Sequence, residues 1–209
     1  MREFWPELAT TASWEKLLEI NREFDFVLIG GWAVYIWTGA HKSKDIDILV
    51  DHKALSYLKE RYELNKNARL RKYEIKLDRF DIDIYVPFFS RLAIPVKDLI
   101  DKYSTVVKGI KTVMPEALLI LKQSAEIGRR GTPKGMKDGI DLVTLAMYAD
   151  IDWRKYHSIS KAYGLGYSDE LIRVINDFNV RDIDYLGIGF KQFRSFQKNT
   201  IGKIKQYYL

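Results

Sequence analysis

Two aspartate triplets carry the chemistry this sequence can do. Asp45 and Asp47 flank Ile46 in KDIDILV, and Asp81 and Asp83 flank Ile82 in FDIDIYV. Residues two apart on a strand point to the same face, so each pair makes neighbours about 7 Å apart at Cα. The isoleucines between them face the other way, into a core. If the two strands lie side by side in one sheet, three or four carboxylates converge on one surface. Such a cluster raises its own pKa values unless a cation sits in it. Hard oxygen ligands of this kind suit Mg2+, which takes one or two carboxylates plus substrate phosphates. Two ions about 4 Å apart can clamp the attacking and leaving oxygens of a phosphoryl or nucleotidyl transfer.

A second feature precedes the first triplet. Gly30-Gly31 ends the apolar run FDFVLI and opens GWAVYIWTGA. A glycine pair between a strand and a helix lets backbone approach a phosphate closely, and the helix start offers N–H groups and a positive dipole end. Ser43 and Lys44 stand just before Asp45 and either help hold a nucleotide or finish a loop. Each feature alone is weak, because half-buried strands alternate polar and apolar residues routinely. The order strand, Gly pair, helix, Asp strand, Asp strand is what favours chemistry. His41, His52 and His157 have no ligand spacing, and no GxxxxGK[ST] phosphate loop occurs.

The elements that must position these residues follow from periodicity. SWEKLLEINREF has helical spacing at Trp14, Leu17, Leu18 and Ile20, with Ser13 as its expected N-cap. FDFVLIG reads as a buried strand, GWAVYIWTGA as a helix, KDIDILVD as a strand and HKALSYLKERYEL as a helix. YEIKLDRFDIDIYVP alternates on both sides of Asp78-Arg79 and predicts a hairpin closed by Pro87. YSTVVKGIKTVMP predicts β structure broken at Gly109. From Pro115 the pattern turns helical, with GRRGTPKG as a loop and MKDGIDLVTLAMYAD as a helix despite Gly139.

The composition narrows the classes. The chain has 209 residues and no cysteine, which excludes a disulfide framework, a thiolate metal site and a cysteine nucleophile. No apolar run has the length of a membrane span and the N-terminus lacks the apolar core of a signal peptide, so the expected location is cytoplasmic. Net charge is +6, and from Leu186 to Leu209 there are five basic residues and no acid. Lys191, Arg194, Lys198, Lys203 and Lys205 form either a polyanion-binding face or a solvated helix surface.

GGWAVYIWTGAHKSKDIDILV together with FDIDIYVP resembles the nucleotidyltransferase superfamily that shares the DNA polymerase β catalytic fold, over about Phe26 to Pro87. That superfamily has a Gly-Gly or Gly-Ser turn, a DxD strand, and a third Asp on a following strand. MPEALLILKQSAEIGRRGTPKGMKDGIDLVTL resembles the Lys-bearing helix and Lys-Asp helix of its minimal, AbiEii-like members, which include toxin components of toxin–antitoxin systems. This extends the resemblance to about Leu145. It implies an α/β (α+β) fold: a mixed β-sheet flanked by helices over residues 1–112, and a helical C-terminal region over 113–209 that packs on it and completes the nucleotide site.

The same resemblance implies roles. Asp45 and Asp47 would bind the metals, and Asp83 would be the third carboxylate, activating the acceptor hydroxyl, with Asp81 as its rival. Gly30 and Gly31 would cradle phosphates, Lys122 would neutralise the triphosphate, and Lys137, Asp138 and Asp141 would border the nucleotide. Simpler readings exist: Lys122 can extend its stem along an apolar helix, and Asp141 can pair with Lys137 four residues away. The turn departs from many members by carrying Gly31 in place of Ser. The implied cofactors are two Mg2+ ions, or Mn2+, with an NTP as substrate. The implied function is transfer of an NMP to an acceptor hydroxyl, with RNA such as a tRNA end favoured over a small molecule or a protein, and an antitoxin protein as a further partner. The competing expectation is a non-catalytic nucleotide- or RNA-binding module that keeps the fold.

Overall fold

A computed structural model of the chain describes residues 3–208. It divides into two compact units, Glu3–Met114 and the residues from Pro115 onward. The first holds α1 (Glu7–Ile20), β1 (Val27–Ile29), α2 (Gly30–Thr38), β2 (Ile46–Leu49), α3 (His52–Arg61), β3 (Asn65–Asn67), β4 (Lys72–Lys76), β5 (Asp81–Tyr85), α4 (Val96–Lys102), β6 (Ser104–Val107) and β7 (Ile110–Val113). All seven strands form one sheet in the order β3-β4-β5-β2-β1-β7-β6. The sheet is mixed: β2/β5 and β1/β7 run parallel, and the other neighbours run antiparallel.

Alternation fixes the two central strands. Ile46, Ile48, Ile82 and Ile84 are each at most 1% exposed, so the isoleucine face of both triplets is core. Burying each such side chain contributes about 1.5–3 kcal/mol. A one-residue slip would bury aspartates in their place, so this burial also locks the register. The β4–β5 hairpin turns around Asp78-Arg79 as the sequence predicts, and β6–β7 turns at Lys108 and Gly109, both with positive φ.

Four elements differ from the sequence reading, one of them α4, for which that reading has no element. α1 begins at Glu7 behind Pro6, six residues before the expected N-cap Ser13. Ser13 is instead buried within the helix, where its hydroxyl accepts a hydrogen bond from the Trp32 indole N–H at 2.9 Å. The short β3, made of Asn, Lys and Asn, has no apolar alternation to announce it. α6 begins at Pro133, inside the expected loop, because the Thr132 hydroxyl caps it by accepting from the Gly135 N–H.

The second unit is helical: α5 (Pro115–Arg129), α6 (Pro133–Tyr148), α7 (Trp153–Ala162), α8 (Tyr167–Asp177), α9 (Val180–Leu186) and α10 (Phe190–Tyr208). The turn from α5 to α6 is so tight that a Cβ on Gly135 would stand 2.2 Å from the Arg129 carbonyl oxygen. Leu118, Leu119, Ile120, Leu142, Val143 and Leu145 are fully buried. Gln123 ties α5 to two neighbours, accepting from the Tyr156 hydroxyl at 2.6 Å and donating to the Tyr167 carbonyl at 2.8 Å. Among the described residues no helix is long and apolar enough to cross a membrane.

The central strands therefore carry the stability of the first unit. Ile48→Ala should destabilise the protein by about 2–5 kcal/mol, whereas Val106→Ala at the exposed sheet edge should change stability by less than about 0.5 kcal/mol. Urea unfolding of the two variants measures the contrast.

Candidate active site

The parallel pairing of β2 with β5 sets Asp47 directly beside Asp83. Neighbouring strands stand about 4.8 Å apart, so these two carboxylates project side by side from one face. On its other side Asp83 faces Glu74 of β4, and Asp81 faces Lys76. Asp45 lies just before β2, and its Oδ1 accepts a hydrogen bond from the Asp81 N–H at 3.1 Å. The structure thus brings all four sequence-predicted aspartates to one sheet face and adds Glu74, Lys72 and Lys76.

The two candidates for third carboxylate differ in setting. Asp81 pairs with Lys76, whose side chain is 58% exposed, so that pair is solvated and weak. Asp83 is largely buried, and its Oδ2 accepts from the Lys72 ammonium at 2.5 Å. Its Oδ1 is buried with no hydrogen-bond partner. Burial pushes the Asp83 carboxyl above its ordinary value, and the Glu74 and Asp45 charges add to that push, while Lys72 pulls it back. Burial alone would lower the Lys72 ammonium, but Asp83 and Glu74 together hold it above its usual range. One cation shared among several acids accounts for both directions.

Gly30 is fixed by Asp47. The glycine has φ +70°, and a Cβ placed on it would stand 2.0 Å from Asp47 Oδ2. No L side chain fits there, so the glycine makes room for the carboxylate at the opening of α2. α2 opens at this turn, so its positive dipole end lies beside the acidic residue. Gly31 is buried in the same first turn. The Ser43 hydroxyl donates to the Asp45 carbonyl at 3.1 Å, and the Ser43 carbonyl accepts from the Ser13 hydroxyl at 3.3 Å. These bonds anchor the loop that delivers Asp45. Lys44 beside it is half-buried.

As the side chains are placed, no group of three or more Asp, Glu or His among the described residues stands close enough to hold one metal ion. The donor set nevertheless fits a hard cation. Asp47 and Asp83 are register neighbours, and an unsatisfied buried carboxylate oxygen is a costly group that a cation would satisfy.

In the helical unit the other predicted residues also meet. The Lys122 ammonium lies 2.6 Å from Asp141 and 3.4 Å from Asp138. Lys137 pairs with Asp141 at 2.9 Å, and Arg129 with Asp138 at 2.5 Å. Burial would raise the Asp141 carboxyl, but the Lys122 and Lys137 charges outweigh it and hold it below the usual carboxylate range. On α10 the five basic residues are all exposed. At 100° per residue Lys191, Arg194, Lys198 and Lys205 fall within about 60° of one another, and Lys203 stands apart.

Lys72 and Glu74 are the residues that sequence reading misses. Their signal is the alternation in KYEIK beside the second triplet, which places Lys72, Glu74 and Lys76 on one face. Only the pairing of β4 with β5 shows that this face is the one carrying the aspartates.

Two predictions follow from these contacts. Gly30→Ala should lower the thermal midpoint well beyond Gly39→Ala, which has the same positive φ but nothing within 4 Å of the new methyl. The Gly39 variant carries only the backbone cost, about 1 kcal/mol. Asp141→Asn removes the buried carboxylate that Lys122 and Lys137 share and should cost about 3 kcal/mol at pH 7. Because the folded Asp141 pKa is depressed, its contribution is present above the unfolded value and lost as pH falls through the folded one. The gap in thermal midpoint between wild type and Asp141→Asn should therefore be full at neutral pH and close below about pH 4.

No protein-family model matches the sequence, and no curated protein does. Solved structures do match. The JHP933 protein of Helicobacter pylori aligns over 98% of this chain and 97% of its own, with 15% identity and a TM-score of 0.52. A second Helicobacter pylori structure, described as a "putative nucleotidyltransferase", aligns over 97% of this chain and 98% of its own, with 16% identity and a TM-score of 0.51. An antigenic nucleotidyltransferase-like protein from Paracoccidioides brasiliensis aligns over 66% of this chain and 75% of its own at 18% identity, with a TM-score of 0.44 that is too low to bear on the fold. The fold of this chain, a mixed sheet followed by a helical region, is thus similar to that of both Helicobacter pylori proteins.

Proposed function

We propose that the protein is a Mg2+-dependent nucleotidyltransferase that moves an NMP from an NTP to an acceptor hydroxyl. The observation that supports this reading best is the parallel register of Asp47 with Asp83, beside a glycine whose missing side chain admits Asp47. Asp45, Asp47 and Asp83 would hold Mg2+, or Mn2+ in its place. The ion would supply charge neutralisation at the phosphates and favour ionisation of the acceptor. Asp83, as the third carboxylate, would activate the acceptor hydroxyl from beside the ion. Asp81, bonded to an exposed lysine, fits that role less well. Gly30 and Gly31 would admit the phosphates to the start of α2. Ser43 holds the loop that carries Lys44 and Asp45.

RNA is the acceptor we favour, through the exposed stripe on α10. The resemblance of the stretch around Lys122 to Asp141 to AbiEii-like members extends the proposal to a toxin-type cytoplasmic enzyme with an antitoxin partner. The second reading is a non-catalytic nucleotide- or RNA-binding module. It draws on the pairing of Asp83 with Lys72 in a face that lacks a closed three-ligand group among the described residues.

Incubation with Mg2+, each α-labelled NTP in turn and total RNA separates these readings. Label should enter RNA with the wild type and be lost in Asp45→Ala/Asp47→Ala. Neutralising Lys191, Arg194 and Lys198 to Gln should weaken RNA binding and lower the salt slope of log affinity by about 3. Nucleotide binding with no transfer to any acceptor, unchanged by the aspartate substitutions, would favour the non-catalytic module.

A further inference from the structure

Lys72 is an unusual lysine. Its residue is 9% exposed, and lysines are almost never so buried unless paired. It sits at the start of β4 and sends its ammonium between two acids, 2.5 Å from Asp83 Oδ2 and 3.0 Å from Glu74 Oε1. Lys76, on the same strand and face, makes the ordinary version of this contact: it pairs with Asp81 at 2.9 Å while 58% exposed. One strand therefore carries one solvated lysine and one buried lysine, and the buried one is attached to the carboxylate that neighbours Asp47 in register.

Asp45, Asp47, Glu74, Asp81 and Asp83 share this face with Lys72 and Lys76. The place where a divalent cation would gain most is the pair Asp47 and Asp83, where one oxygen of Asp83 has no partner and the other is held by Lys72. A cation there must share Asp83 with the ammonium, and the two positive charges repel at short range in a poorly solvated site.

We propose that Lys72 is a resident counter-cation of the carboxylate face, which holds Asp83 in place and competes with the divalent ion for it, so that Lys72 sets the metal affinity of the site. This rests on the metal-dependent reading above. Lys72 is thus a positioning residue, acting through Asp83. Its long stem lets the ammonium give up Asp83 while keeping Glu74, so competition needs no backbone movement. The proposal separates cleanly from a plain structural role. A lysine that only props up the face would, when removed, loosen the site and weaken metal binding. A competing lysine, when removed, leaves the carboxylates with one opposing charge fewer, and metal binding tightens.

The test is Mn2+ titration of the full chain followed by electron paramagnetic resonance, with circular dichroism to verify folding. Lys72→Gln keeps a hydrogen-bond donor near Asp83 and should bind Mn2+ about tenfold or more tightly than wild type. Lys72→Met should do the same, and supplies the answer if the Gln variant does not fold. Lys76→Gln removes the same formal charge from the solvated position and should shift affinity by less than about threefold. Equal or weaker binding in both Lys72 variants, with wild-type binding abolished by Asp47→Asn, would overturn the role of Lys72 and leave the transferase reading standing. No Mn2+ bound by any variant, with or without ATP, would overturn both.

Discussion

The whole site depends on one constraint, the parallel pairing of two strands that each alternate aspartate with isoleucine. The isoleucines of β2 and β5 are buried, so the aspartates have no choice of face. The parallel register then sets Asp47 beside Asp83. Hydrophobic burial on one side of the sheet thereby sustains electrostatic repulsion on the other. The repelling face is stabilised locally by what surrounds it: Lys72 on Asp83, the Asp81 N–H on Asp45, and the opening turn of α2 against Asp47. Each of these contacts comes from a different segment, so the face is complete only when the sheet is.

The same constraint explains why Gly30 and Lys72 matter although neither is an acid. Gly30 lies at the end of β1, the antiparallel neighbour of β2, where Ile29 stands opposite Asp47. A side chain on the next residue would occupy the space of the Asp47 carboxylate. The glycine is thus a steric requirement of the aspartate, in addition to any part in admitting phosphate. Lys72 answers a different need. Asp83 sits between Asp47 and Glu74, and a buried carboxylate so placed would hold its proton more tightly still without a cation beside it.

Much of this is legible in the sequence, for reasons that can be named. The triplets are legible because a period of two is short enough to be read in four or five residues, and because β-branched isoleucine marks the buried face. The Gly pair is legible because it interrupts an apolar run. The Lys137–Asp141 pair is legible from its spacing of four, whereas the contacts of Lys122 with Asp138 and Asp141 depend on two facing helices that the sequence does not show. Lys72 and Glu74 are not legible as site residues, since lysine and glutamate alternating on an outer strand look the same whether they face water or aspartates. The start of α1 is missed because Thr10 and Ser13 take buried positions that sequence patterning assigns to apolar side chains. Short β3 is missed because pairing with β4, and not its own composition, makes it a strand.

The central claim is that Asp47 and Asp83 form one cation-binding surface. Anomalous diffraction from crystals soaked with Mn2+ and a non-hydrolysable ATP analogue tests it most directly. The account predicts an anomalous peak within ligand distance of carboxylate oxygens of both Asp47 and Asp83. A peak that engages Asp81 and leaves Asp83 on Lys72, or an ordered nucleotide with no peak on this face, would contradict it.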